Sequence, residues 1–111
     1  MVVFLLASLA IGGSERKLVR LMNALHARGR RVGCAYLSPP DTLRNELHRE
    51  IPVWFLDRHA RFSPAALRRI HELLRQVDAR VLVAVNIYPT LYAAALKRGG
   101  AAPGVLTVYS R

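Results

Sequence analysis

The chain has 111 residues, 52% of them hydrophobic, which bounds it to one globular domain with a real core and excludes a disordered tail. Seventeen Lys and Arg stand against seven Asp and Glu, a net charge of +10, and every basic residue except Lys17 and Lys97 is Arg. The lone Cys34 excludes an intrachain disulfide and fits a reducing compartment, and no apolar stretch approaches the roughly 20 residues of a spanning helix.

Residues 2–8 form a continuous apolar run of strand length, as in a parallel strand covered on both faces. The stretch lacks a positive leader and runs into a turn at residues 9–14, so a strand is expected and not a signal peptide. Leu18, Leu21, Met22 and Leu25 then recur at helical spacing. Ser14 is expected to cap that helix, Glu15 to sit in its positive first turn and Gly29 to stop it. Strand, glycine turn and helix N-terminus in this order build an anion site, because free backbone N–H groups point outward and no Cβ blocks approach.

A second strand is expected over residues 32–37, ended by Pro39 and Pro40, which bring no N–H to a ladder. Asp41 is placed to cap a short helix with Leu43 and Leu47 on one face. Residues 51–56 make a third strand, whose early Pro52 and single Trp54 suit a sheet edge. After a basic loop, Ser63 and Pro64 announce a helix with Leu67, Ile70, Leu73, Leu74 and Val77 inward and Arg68, Arg69, Glu72 and Arg75 outward. Residues 81–85 form a fourth strand ending at Asn86, residues 90–98 an alanine-rich helix stopped by Gly99 and Gly100, and residues 105–109 a fifth strand.

Alternating strands and helices imply an α/β, Rossmann-like three-layer sandwich: a parallel five-stranded sheet in order 3-2-1-4-5 with right-handed crossovers. Such sheets bind ligands beyond the carboxyl ends of their strands, at the switch between strands 1 and 4. Gly12, Gly13, Asn86, Tyr109 and Ser110 therefore converge on one crevice. The four histidines show no metal-ligand spacing to one another, to Cys34 or to a carboxylate, so no metal site is expected. Glu46 and Glu50, one helical turn apart, are expected on an exposed face.

Ile11-Gly12-Gly13-Ser14-Glu15-Arg16, with a helix ending in Leu25-His26-Ala27-Arg28-Gly29-Arg30-Arg31-Val32, resembles the N-terminal domain of family 4 glycosyltransferases. The usual pattern there is a strand, Gly-Gly-Ala-Glu-Arg, and a helix ending in Ala-x-x-Gly-His-x-Val. Leu47 to Val53 is similar to that family's stretch before its third strand, and the likeness covers the whole chain. The resemblance implies a GT-B enzyme of two Rossmann-like domains with the active site between them, residues 1–111 forming the acceptor-side domain. It implies a nucleotide-sugar donor, held mainly by a C-terminal domain with a paired-glutamate motif, and a lipid-linked or saccharide acceptor. That domain is absent from these 111 residues, so the isolated chain is expected to be inactive.

Carried over by position, the donor diphosphate falls to Gly12 and Gly13, with Arg16 beside them, and the acceptor cleft to Asn86, Tyr88, Tyr109 and Ser110. Asn86 and Ser110 stand where many members carry histidine, which leaves the catalytic group unassigned. No cofactor is implied. The family's setting is cell-envelope polysaccharide biosynthesis in the cytoplasm, peripheral to the inner membrane face. Arg58, Arg61, Arg68, Arg69 and Arg75, with Phe62 as a shallow anchor, are candidates for contact with anionic headgroups. A merely solvated basic face is the alternative. Aromatic residues do not interleave with the basic ones, which argues against single-stranded nucleic acid as a partner. The rival function is a free-standing Rossmann-like nucleotide- or phosphate-binding module without transferase activity. A dinucleotide module would require G-x-G-x-x-G and an acidic end to the second strand, where the chain has Leu37 and Ser38.

Overall fold

Strands β1 (Val2–Leu6) and β2 (Val32–Tyr36) are the apolar runs that no helix could bury on all sides, and they lie side by side at the centre of a parallel sheet. A computed structural model describes the chain except residues 12, 59–62, 86, 99–105 and 111, and describes all other side chains but those of 13, 14, 87, 88, 97, 98 and 106–110. β3 (Val53–Phe55) flanks β2 and β4 (Val81–Val85) flanks β1, so the order β3-β2-β1-β4 is the one expected. Val3 lies between Gly33 and Leu82, and Leu5 between Ala35 and Ala84. Strand β5 (Leu106–Ser110) runs parallel beside β4, with Leu106 opposite Val81 and Ser110 opposite Val85.

The alternation of side chains along each strand divides the core in two. Phe4, Leu6, Cys34 and Tyr36 point to the face covered by α1 (Gly13–Ala27) and a 3-10 helix (Thr42–Glu46), where they meet Val19, Met22, Leu43 and Leu47. Val3, Leu5, Leu82 and Ala84 point to the other face, under α2 (Pro64–Gln76) and α3 (Ile87–Arg98), where Ile70, Leu73, Leu74, Tyr92 and Leu96 fill the layer.

The helix ends follow local chemistry. Gly29 takes φ +80°, a left-handed conformation open to glycine at little cost, and α1 closes around it. Arg30 N–H donates to the Leu25 carbonyl and Gly29 N–H to that of His26, each at 3.0 Å, the paired bonds of a Schellman end. At the start of α2, Ser63 Oγ accepts the Ala66 N–H at 3.3 Å and Pro64 occupies the first helical position, as its sequence demands.

Several local expectations are corrected. α1 begins at Gly13, so Ser14 lies within its first turn and not at its cap; Gly12 lies outside the described residues. Asp41 stands at the cap of a 3-10 helix, yet its side chain makes no capping bond; it lies 3.5 Å from the Tyr36 hydroxyl and 3.9 Å from the Arg44 guanidinium. The ion pair and the phenol compete for the same oxygens. α3 starts at Ile87, three residues before the expected Thr90, so Tyr88 belongs to its first turn. Glu46 ends the 3-10 helix and Glu50 sits in the turn after it, so they do not share a helix face. The third strand is shorter than expected, although ladder bonds from Cys34 N–H to the Pro52 carbonyl and from Leu56 N–H to that of Tyr36, both 2.9 Å, extend its pairing. The expected stop at Gly99 and Gly100 lies outside the described residues.

Candidate functional site

All strands are parallel, so their carboxyl ends share one edge, and the chain leaves β1 and β4 there in opposite directions along the sheet. The segment after β1 is pinned by the segment after β2. Leu9 is fully buried; its N–H donates to the Pro40 carbonyl at 3.0 Å and its own carbonyl accepts the Leu43 N–H at 2.9 Å. Ser38 donates to the Ala7 carbonyl twice, through N–H at 3.0 Å and through Oγ at 3.3 Å. Ala10 N–H points at Ser8 Oγ, 3.4 Å away, and Ile11 then projects into solvent, 67% exposed.

Two helix N-termini open on this edge: α1 at Gly13, after β1, and α3 at Ile87, after β4. The first amides of any helix lack intrahelical acceptors and carry the positive end of its dipole. The arrangement can therefore hold an anion without a cationic side chain. The backbone positions of Gly13, Tyr88 and Ser110 fall along this edge, Ser110 beside Val85 and Tyr109 beside Ala84. Gly12, Asn86 and Arg61 lie outside the described residues, as do the side chains of Tyr88, Tyr109 and Ser110.

Arg16 lies one turn into α1, and its guanidinium pairs with Glu46 at 3.5 Å, the two side chains 42% and 49% exposed. A pair that open to water is weak, so it orients Arg16 without committing it. Arg58 is half-buried at the carboxyl edge: its N–H donates to the Leu37 carbonyl at 2.8 Å and Nη2 to Ser38 Oγ at 3.3 Å. Arg69 Nη1 donates to the carbonyls of Leu56 and Asp57, tying α2 to the end of β3. Arg68 and Arg75 are exposed on α2.

Beneath the edge, burial pushes the Cys34 thiol up to about 12, with Arg44 opposing weakly, so it is an inert core group. Tyr36 is also raised, first by burial and then by the Asp41 carboxylate. It stacks on Phe55 with ring centroids 5.1 Å apart.

Histidines that show no metal-ligand spacing along the sequence come close to a carboxylate in space. His26, in the last turn of α1, reaches Glu50 at 3.5 Å, and its ring lies 4.3 Å from that of His48. One donor atom each from His26, His48 and Glu50 lie within 4.8 Å of one another. Sequence spacing carried no sign of this, because residues 26 and 48 are joined only by the path of β2 and the 3-10 helix.

The sequence model of Glycosyltransferase Family 4 matches residues 11–111, which begins at the exposed Ile11 of the glycine turn and takes in every element from α1 onward. The chain belongs to glycosyltransferase family 4. Neither a curated protein nor a solved structure gives a significant match. Membership brings glycosyltransferase-type function, and with it a sugar donor and an acceptor in general terms. For this glycosyltransferase-family domain the carboxyl edge, with its two helix N-termini, is the candidate site. Among the described residues no helix is long and apolar enough to cross a membrane.

Proposed function

We propose that residues 1–111 are the acceptor-side, N-terminal domain of a GT-B glycosyltransferase that takes its sugar from a nucleotide-sugar and passes it to a lipid-linked or saccharide acceptor. The observation that carries this reading is the family match over residues 11–111, which starts at the turn feeding the N-terminus of α1. In the proposed enzyme, amides at Gly12 and Gly13 approach the donor diphosphate, and the N-terminus of α1 adds roughly half a positive charge. Arg16 turns from Glu46 toward the same phosphates. Asn86, Tyr88, Tyr109 and Ser110 line the acceptor side. The domain's sheet is read as five strands in order 3-2-1-4-5, supported by the pairing of Leu106–Ser110 with β4.

Transfer needs donor and acceptor held together and the leaving diphosphate stabilised, and half a cleft does neither fully. A second, donor-binding domain is therefore part of the proposal, and the exposed Ile11 belongs to the surface facing it. We place the enzyme in the cytoplasm, peripheral to an anionic membrane face, with Arg68 and Arg75 the basic side chains on the exposed face of α2.

Activity of the chain alone and joined to a family 4 donor domain tests this reading. Transfer is expected only from the joined protein, with Gly12→Ala lowering donor affinity at little change in thermal stability. Saturable binding of a nucleotide by the 111-residue chain, with no transfer from the joined protein, would favour the free-standing module. Sedimentation with anionic vesicles, lost in high salt and absent with neutral vesicles, checks the membrane contact.

A further inference from the structure

Three metal-ligating side chains, two borderline imidazoles and one hard carboxylate, meet at the amino edge of the sheet, the end opposite the glycine turn. His26 precedes the turn into β2, and His48 and Glu50 precede the start of β3. Their donor atoms lie within 4.8 Å of one another, and His26 Nε2 stands 3.5 Å from Glu50 Oε2. Two ligands on one tetrahedral zinc ion, bonded at about 2.0–2.2 Å, sit roughly 3.4 Å apart. That pair is already at the spacing zinc requires.

The cluster is held by a separate clamp. Asn23, one turn before His26 on α1, grips the backbone on either side of Leu47: its Nδ2 donates to the Glu46 carbonyl at 2.8 Å, and its Oδ1 accepts the His48 N–H at 2.7 Å. Leu47 itself is buried against the α1 face of the sheet. The two histidines are thus presented to each other by the Asn23 side chain and core packing, and the ion would not have to order the loop. His48 also lines an open cleft of about 440 Å³ with Arg44, Asn45 and Arg49, so water can reach an ion and fill a fourth position.

We infer that His26, His48 and Glu50 form a surface site for a divalent transition-metal ion of the zinc type, clipping the end of α1 to the segment that enters β3. The donor set of two imidazoles and one carboxylate suits zinc and disfavours magnesium, which prefers an all-oxygen shell. Binding has one local cost. His48 Nδ1 accepts the Glu50 N–H at 3.1 Å, and whichever ring nitrogen takes the metal, that bond is given up and water replaces it. The neighbouring Arg49 and the net charge of +10 oppose a cation, so the site is weak. It stands independently of the transferase reading, since it lies away from the carboxyl edge.

Calorimetric titration of the full chain, free of any polyhistidine tag, with zinc chloride tests it. One saturable zinc per chain is expected, with a rise in Tm that magnesium does not reproduce, because the ion binds the folded state alone. His48→Ala and Glu50→Gln should each weaken binding about tenfold or more, while Arg49→Ala keeps or tightens it. All three residues are exposed, so the variants should fold; coincident far-UV circular dichroism spectra verify that. No saturable zinc binding, equal stabilisation by magnesium, or binding unchanged in both His48→Ala and Glu50→Gln would overturn the assignment.

Discussion

The buried hydroxyl of Tyr92, on α3, accepts the backbone N–H of Ser63, the residue that caps α2, at 2.6 Å. Tyr92 is fully buried and Ser63 nearly so, which makes this bond a polar join between the two helices covering one face of the sheet. Tyr92→Phe keeps the ring and leaves the Ser63 amide without its acceptor. We expect a loss of about 1–3 kcal/mol in chemical denaturation, the penalty for a buried unsatisfied donor. Ser63→Ala removes the cap on Ala66 but keeps the amide, and should cost only about 1 kcal/mol. A Tyr92→Phe protein as stable as wild type would mean that water reaches the amide.

Gly33 is buried in β2 because no side chain fits there. A Cβ would stand 2.5 Å from Cζ3 and 2.8 Å from Cη2 of Trp54, with Met1 Sδ at 3.3 Å. Gly33→Ala should therefore push the indole aside at a cost of about 1–3 kcal/mol. The chain has one tryptophan, so its fluorescence reports the displacement directly as a red shift. Adding Trp54→Leu should recover part of the loss, a coupling that a double-mutant cycle measures.

Cys34 makes stability depend on alkaline pH. Its thiol is raised from 9.0 to about 12 in the folded chain, chiefly by burial. Below pH 9 the thiol is neutral in both states and its contribution is fully present. Between pH 9 and about 12 only the unfolded chain ionises, so stability falls as pH rises through that window. Cys34→Ala should flatten the decline, and a thiol reagent at pH 8 should label the wild-type chain only in denaturant. Rapid labelling of the native protein would contradict the burial.

The Arg16–Glu46 pair offers a test of the donor side in the two-domain enzyme. Arg16→Ala should raise the donor KM about tenfold or more, the loss of one charge-assisted contact. Glu46→Gln releases Arg16 and should lower that KM modestly, with little effect on stability because the pair is exposed. Unchanged donor KM in both variants would confine Arg16 to its surface pair.

Much of this protein was legible in its sequence because the signals are local. The apolar runs at β1, β2 and β4, the Ser63-Pro64 start and the Gly29 stop depend on periodicity and backbone chemistry within a few residues. The order β3-β2-β1-β4 followed from right-handed crossovers, which leave a parallel sheet few alternatives. The glycine turn before α1 carried the family likeness, and the match over residues 11–111 agrees with it.

Tertiary structure decided what depends on contacts between distant segments. Asp41 was positioned to cap, but Tyr36 and Arg44, brought together by the turn after β2, occupy its carboxylate instead. Arg58 looked like one more surface cation; the fold turns it onto Ser38 at the carboxyl edge. His26, His48 and Glu50 carry no common spacing, and the Asn23 clamp together with the packing of Leu47 against the α1 face sets them beside one another. Side-chain meetings of this kind arise from the packing of whole elements, whose angles and offsets no short window of sequence encodes.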